Sequence, residues 1–188
     1  MTGVDFSKRS IQYAVEEARR SGLSICYVNQ NYLDFETEDR FDLILMIMCD
    51  FCALSPKQRK QILGKFYKLL NPRGYVLLDV YSLASFEQRE EIAMYELNLL
   101  DGFWSPNKYY GFLNTFKYEK EKVVLDKYTI VEAARLRTVY NWLQYFDPDE
   151  LNREFVESGF KVDEFFSDVS GSNFEAKAGE FAVIARKS

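Results

Sequence analysis

Histidine is missing from all 188 residues. Its absence removes the side chain most often used as a general base near neutral pH and the commonest metal ligand. No G-x-G occurs anywhere, so the fingerprint by which nicotinamide-binding folds bring backbone against a pyrophosphate is lacking, and that class is disfavoured. The apolar run Leu43–Met48 is too short to cross a membrane, and nothing reads as a signal peptide. No basic excess exists: 24 Lys and Arg face 29 Asp and Glu, a net charge of −5, which argues against nucleic acid as a partner. Cysteine is limited to Cys26, Cys49 and Cys52, as expected for free thiols in a reducing compartment, hence a cytoplasmic location. Cys49-Asp50-Phe51-Cys52 is formally a C-x-x-C, but a zinc reading needs more ligands than Cys26 can add, and a redox reading needs a thioredoxin-like setting. What is abundant is aromatic: 13 Tyr and 16 Phe within a 47% hydrophobic composition. A core accounts for about half of these rings, and the rest are expected to line an apolar cleft.

Residues 41–81 organise the chain. Leu43–Met48 reads as a strand buried on both faces. Ser55-Pro56 supplies an N-cap and a first-turn proline. Ile62, Leu63, Phe66, Leu69 and Leu70 follow at helical spacing, Asn71-Pro72-Arg73-Gly74 stops the helix, and Tyr75–Val80 is a second buried strand. Such a unit closes as a right-handed parallel crossover. Its ligand belongs at the carboxyl ends of the strands, near Met48–Phe51 and Asp79–Ser82.

Before this unit, Met1–Asp5 reads as the end of a strand. Ser7 caps a helix over 8–21 with Ile11, Val15 and Ala18 inward, and 25–29 is a short strand. After it, Ser85 and Gln88 resemble a capping box opening a helix to about Leu99. Residues 112–118, 123–131 and 135–145 alternate as three strands of an antiparallel meander. A helix from Asp149 to Ser158 and strands 160–166 and 180–186 complete the chain.

Several stretches carry a family resemblance in order: Gly3-Val4-Asp5-Phe6-Ser7 at a strand end, Asn31-Tyr32 after the next strand, Phe41-Asp42-Leu43-Ile44, Leu70-Asn71-Pro72-Arg73-Gly74-Tyr75, and Phe146–Leu151 followed by Ser158-Gly159-Phe160. Together they resemble the class I S-adenosylmethionine-dependent methyltransferases over nearly the whole chain apart from the meander. The resemblance implies a Rossmann-like three-layer α/β sandwich, with 1–100 and 146–188 as its core and 101–145 as an inserted aromatic loop and β-meander lid. It implies S-adenosylmethionine as cofactor, no metal, and methyl transfer to a small-molecule N, O or C nucleophile. The family's first strand and glycine-rich loop would precede Met1, so the expectation is an N-terminally truncated, impaired domain. The slot beside the Leu43–Met48 strand would then be closed by the Thr2–Asp5 strand sliding over, by disorder near 1–30, or by a second copy in a homodimer. A non-catalytic binding or scaffolding domain is the rival reading.

The resemblance assigns cofactor contacts to Asp5 (ribose hydroxyls), Phe6, Asn31 and Tyr32 (adenine), with Met48 and Cys49 at the strand end. The competing reading of Asp5 is a helix N-terminal acid; Phe6 reads equally as a staple for that helix. Asp50 must face a cleft or a partner; it orients an acceptor or caps the next turn. Asp79 reads as a hydrogen-bonded structural acid. With Asp50, Tyr109 and Tyr110 are the catalytic candidates, and Trp104, Phe112, Tyr140, Arg135 and Arg137 the acceptor-binding ones. The two arginines suit a carboxylate; solvated strand residues are the competing reading.

Overall fold

The computed structural model describes residues 1–188. Three sheets form. The first is parallel and two-stranded, β1 (Thr2–Asp5) with β2 (Cys26–Asn29), and α1 (Lys8–Arg20) packs on it. Ser7 caps α1 by accepting from the Ser10 N–H. Of its three expected inward residues, Ala18 is buried but Val15 is 46% exposed.

The second sheet is β3 (Phe41–Met46), β4 (Leu70–Tyr81), β10 (Glu180–Lys187) and β9 (Phe160–Phe166), in that spatial order. The β3–β4 pair is parallel through α2 (Pro56–Leu69), as the crossover requires. Ser55 and Gln58 form a full capping box at the start of α2, satisfying two orphan donors reciprocally. α4 (Pro148–Glu157) is capped by Asp147 and lies beside α2, where the buried Arg59 guanidinium donates to Glu154 at 2.7–3.0 Å. Ile62, Leu63, Leu151 and Phe155 from these helices meet Val76, Leu78, Val80, Phe181 and Val183 in the main core.

That core lies on one face only. Expected burial of β3 on both faces is not met: Leu43 is 49% and Leu45 54% exposed. Ile44 and Met46 face the helices in register with Val76 and Leu78, whereas Leu43 and Leu45 share the other face with Tyr75 and Leu77. An unbroken apolar run cannot distinguish one covered face from two. β3 also ends its sheet, with no strand on its outer side. β1 has not slid onto it, and residues 1–30 form β1, α1 and β2 rather than irregular chain. Instead, the β1–β2 unit is tied to α2, where Gln61 donates to the Leu33 carbonyl and Lys65 to that of Phe35.

The third sheet, termed the lid, is antiparallel and is inserted between β4 and α4 as expected but larger. It comprises β5 (Ala93–Leu97), β6 (Tyr110–Tyr118), β7 (Val123–Val131) and β8 (Leu136–Gln144) in consecutive order. The helix expected to about Leu99 is instead a short α3 (Leu83–Gln88) capped by Ser82. Residues 93–97 satisfy a period of two as well as a helical one, and pairing with β6 decides it. The insert therefore begins near Ala93 rather than at 101. Leu99 packs so closely beneath β6 that a Cβ at Gly111 would stand 2.4 Å from the Leu99 Cβ.

Candidate functional site

The carboxyl ends of β1 and β3 converge on an acidic edge. Asp5 ends β1, Tyr32 follows β2, and Asp50 follows β3. Asp50 is open to solvent on one side, yet its carboxyl pKa is pushed up, first by desolvation and then by the charges of Asp5 and Asp79. The Tyr32 phenol is pushed up by burial, then by Asp50 and Asp5. No Lys or Arg figures among the influences on either group, so the edge favours a positively charged ligand.

Asp79 shapes this edge from below. Its carboxylate accepts from the backbone N–H groups of Met48 at 3.2 Å and Cys49 at 2.8 Å. Both residues have left-handed backbone, φ 70 and 56, a conformation disfavoured for side chains of their size. The clamp explains why a carboxylate sits inside a buried strand, as the structural-acid reading expected. Met48 is left 81% exposed at the strand end, while Cys49 and Cys52 are buried. The Cys49 thiol approaches Glu180 at 3.7 Å, and Cys52 Sγ accepts from the Tyr81 N–H at 3.2 Å. The Cys49 thiol pKa is strongly raised, chiefly by its hydrogen bond with Cys52 and by burial, so it stays protonated and is a poor nucleophile.

Among the other cofactor candidates, Asp5 uses Oδ1 to accept from the Ser7 N–H at 2.6 Å. Asn31 Oδ1 accepts from the Leu33 N–H, shaping the loop locally, and Phe6 is 72% exposed beside Asp5.

The lid separates the candidates that the sequence grouped. Tyr109 is buried, with its hydroxyl donating to the Leu99 carbonyl and its ring packed with Leu99 and Ile130. It holds the lid together and does not face a ligand, which corrects its assignment as a catalytic residue. Trp104 stacks inside the lid on Tyr128 and accepts at its carbonyl from Arg137. Arg137 is thereby engaged within the lid, and Arg135 lies exposed in the β7–β8 turn; both stand near the Glu132 carboxylate, whose pKa is lowered first by the Ser105 hydroxyl and further by the two arginines, so the protein's own acid already occupies the pair. Tyr110, Phe112 and Tyr140 share the opposite, open face of the sheet. Where this face meets the start of α2, an open cleft of about 490 Å³ forms, with Cys52, Leu54, Pro56, Tyr118, Glu121 and Trp142 in its lining. Tyr118 and Glu121 were not legible as site residues, because a turn carboxylate and an alternating tyrosine look like ordinary lid surface. No group of His, Cys, Asp and Glu is arranged to hold a metal ion, and no helix is long and apolar enough to cross a membrane.

Parallel strands joined by a helix, an antiparallel end to the sheet, and an acidic carboxyl edge together make the α/β fold of the S-adenosylmethionine-dependent methyltransferases. Residues 1–74 match the family model described as a methyltransferase domain. The carboxy-S-adenosyl-L-methionine synthase of Campylobacter jejuni is 27% identical over 180 residues, covering 92% of this chain and 63% of that protein. The chain spans 40% and 63% of the lengths of two curated relatives it matches. An S-adenosylmethionine-dependent methyltransferase from Clostridium acetobutylicum superimposes with a TM-score of 0.76 at 11% identity, over all of this chain and 74% of that one. The glycopeptide N-methyltransferase MtfA, in complex with S-adenosylmethionine, gives 0.58 at 19% identity, over all of this chain and 77% of its own.

Proposed function

We propose that this chain binds S-adenosylmethionine at the carboxyl edge of β1 and β3 and directs methyl transfer to a small-molecule N, O or C nucleophile. The observation that carries this reading is the Asp5–Tyr32–Asp50 edge, negative and without a basic partner. Asp5 keeps Oδ2 free to accept from ribose hydroxyls, Phe6 and Tyr32 offer rings to an adenine, and Met48 with Cys49 forms the floor. When bound, the cofactor supplies an electrophilic methyl group on a sulfonium. Asp50, with its raised proton affinity, takes the proton from an acceptor N–H or O–H. Aromatic side chains on the lid exclude water from such a reaction, and positioning supplies most of the acceleration.

A second reading, a binding or scaffolding domain without catalysis, is favoured by one feature. The edge offers side chains for the adenosine end of the cofactor but no glycine-rich run of backbone donors for the methionine end. Calorimetry with S-adenosylhomocysteine distinguishes the two. Saturable micromolar binding, weakened by about 1.5–3 kcal/mol in Asp5→Ala as for a hydrogen bond to a charged group, supports the enzyme. No binding, or an Asp5→Ala effect under a few tenths, supports the alternative.

A further inference from the structure

The cleft between the lid and α2 has a selective chemistry, set by which of its polar groups are engaged and which are left free. The Arg59 guanidinium is committed to Glu154 and to the Leu54 carbonyl. The Gln58 carbonyl oxygen accepts from Ser55. The Gln144 amide nitrogen donates to the carbonyls of Glu121, Lys122 and Tyr145, leaving only its oxygen free.

The charges of the β6–β7 turn divide between the two faces of the lid. Lys117 and Lys122 pair with Glu119, and both ammonium groups stand over the Phe86 ring at 4.5 and 4.8 Å. Glu121 lines the cleft instead and has no ion-pair partner. Beside it, Tyr118 and Trp142 pack with ring centroids 5.6 Å apart and remain 41% and 46% exposed. A free carboxylate, a free amide oxygen and two ring faces all attract positive charge, and the one cationic side chain of the lining, Arg59, is committed; the donors left free, the Gln58 amide, the Tyr118 hydroxyl and the Trp142 N–H, are neutral. A volume of about 490 Å³ is in the range of small-ligand sites.

We propose that this cleft binds an apolar small molecule bearing a protonated amine, with Glu121 holding the ammonium and the Tyr118–Trp142 pair holding the body. The turn Asp50–Ala53 is shared by the donor edge and the cleft wall. Once that ammonium has given up a proton to solvent, its nitrogen lone pair can accept a methyl group, so an amine so placed defines the methyl-acceptor class, a role that rests on the methyltransferase reading above.

The test uses the whole chain and three probes of one shape: 4-phenylbutylamine, 4-phenylbutanol and 4-phenylbutyrate. The chain has two tryptophans, so Trp104→Phe makes Trp142 the only reporter of emission, and calorimetry on the unaltered chain covers any loss of folding in that variant. The amine is expected to saturate, and to bind about tenfold more tightly than the butyrate. Glu121→Gln should weaken the amine about fivefold or more and bring it level with the alcohol. Glu119→Gln, in the same turn but facing Lys117, should change nothing. Equal binding of amine and butyrate, no saturable amine binding, or an unaffected Glu121→Gln overturns the proposal. S-adenosylhomocysteine is titrated separately: amine failure with intact nucleoside binding rejects the cleft assignment alone, and the reverse result rejects the methyltransferase reading alone.

Discussion

Two buried carboxylates sit inside strands of this molecule, and they are neutralised in opposite ways. Asp126, in the middle of lid strand β7, receives Arg89 on both oxygens at 2.7–2.8 Å and the Thr115 hydroxyl at 2.5 Å. All its partners are side chains of the lid or of the segment leading into it. Asp79, in β4, has no basic partner and is satisfied by two backbone N–H groups from the end of another strand. The first arrangement makes the lid self-contained. The second converts a buried charge into a backbone shape, the left-handed floor of the proposed donor edge. Substitution should therefore separate stability from ligand binding.

The largest effect is expected from Asp126→Ala. It leaves Arg89 without its carboxylate and the Thr115 hydroxyl without an acceptor, which costs about 3 kcal/mol, the lower end for breaking a buried pair because Arg89 is partly exposed. Chemical denaturation measures it. Nucleoside binding per folded molecule should stay within twofold of the parent, roughly 0.4 kcal/mol. A coupled loss of that binding would show that the lid and the donor edge are not separate.

Asp79→Ala should cost less stability, about 2 kcal/mol for two backbone donors left unpaired, but it should remove most S-adenosylhomocysteine binding because Met48 and Cys49 lose their clamp. Asp79→Asn retains one acceptor oxygen and should fall between. If Asp79→Ala binds as the parent does, the floor is held by something other than this carboxylate.

Much of this contrast could be read from the residues, and the rest could not. An acid within the apolar strand Tyr75–Val80 had to be hydrogen-bonded, so Asp79 was legible as structural. Its partners were not, since they lie 30 and 31 residues away along the chain. The alternation of residues 112–118 and 123–131 placed two lid strands closely. Residues 93–97 were missed because five residues fit either period, and only pairing with β6 selects the strand. Tyr109 and Tyr110 were equivalent in sequence, yet Tyr109 just precedes β6 and turns in against Leu99 and Ile130, while Tyr110 begins the strand and is half exposed. The acidic edge of Asp5, Tyr32 and Asp50 could be traced in the sequence because each stands at the end of a strand or in the loop after one. The cleft was not, because it needs the lid to meet α2.

The pH response of the edge gives a smaller effect. The Asp50 carboxyl pKa is raised by burial and by the neighbouring charges of Asp5 and Asp79, so its base form accumulates only as pH climbs above the usual carboxylate range. A carbon-detected NMR titration of Asp50 should have its midpoint above that of an unperturbed aspartate. Asp5→Asn, which removes the second cause of the shift, should move that midpoint down. An unmoved midpoint would mean that the two carboxyl groups do not share an edge.

The smallest effect concerns left-handed backbone without a clamp. Arg73 has φ 65 in the bulge where β4 begins, between Pro72 and Gly74. A side chain here meets the left-handed penalty of about 1 kcal/mol that glycine escapes. At Met48 and Cys49 the two hydrogen bonds to Asp79 offset that penalty, whereas near Arg73 the side-chain bonds, Asn71 to Asp42 and Lys187 to the Leu70 carbonyl, both at 2.8 Å, lie outside the strained residue. Arg73→Gly should therefore stabilise the fold. The gain is less than the full penalty, because glycine also adds freedom to the unfolded chain, leaving a net of about 0.5 kcal/mol. Thermal unfolding resolves such a shift. The same change at Cys49 should not stabilise, because it also removes a buried side chain from the main core. Equal gains at both positions would mean that the Asp79 clamp contributes nothing to holding the donor floor.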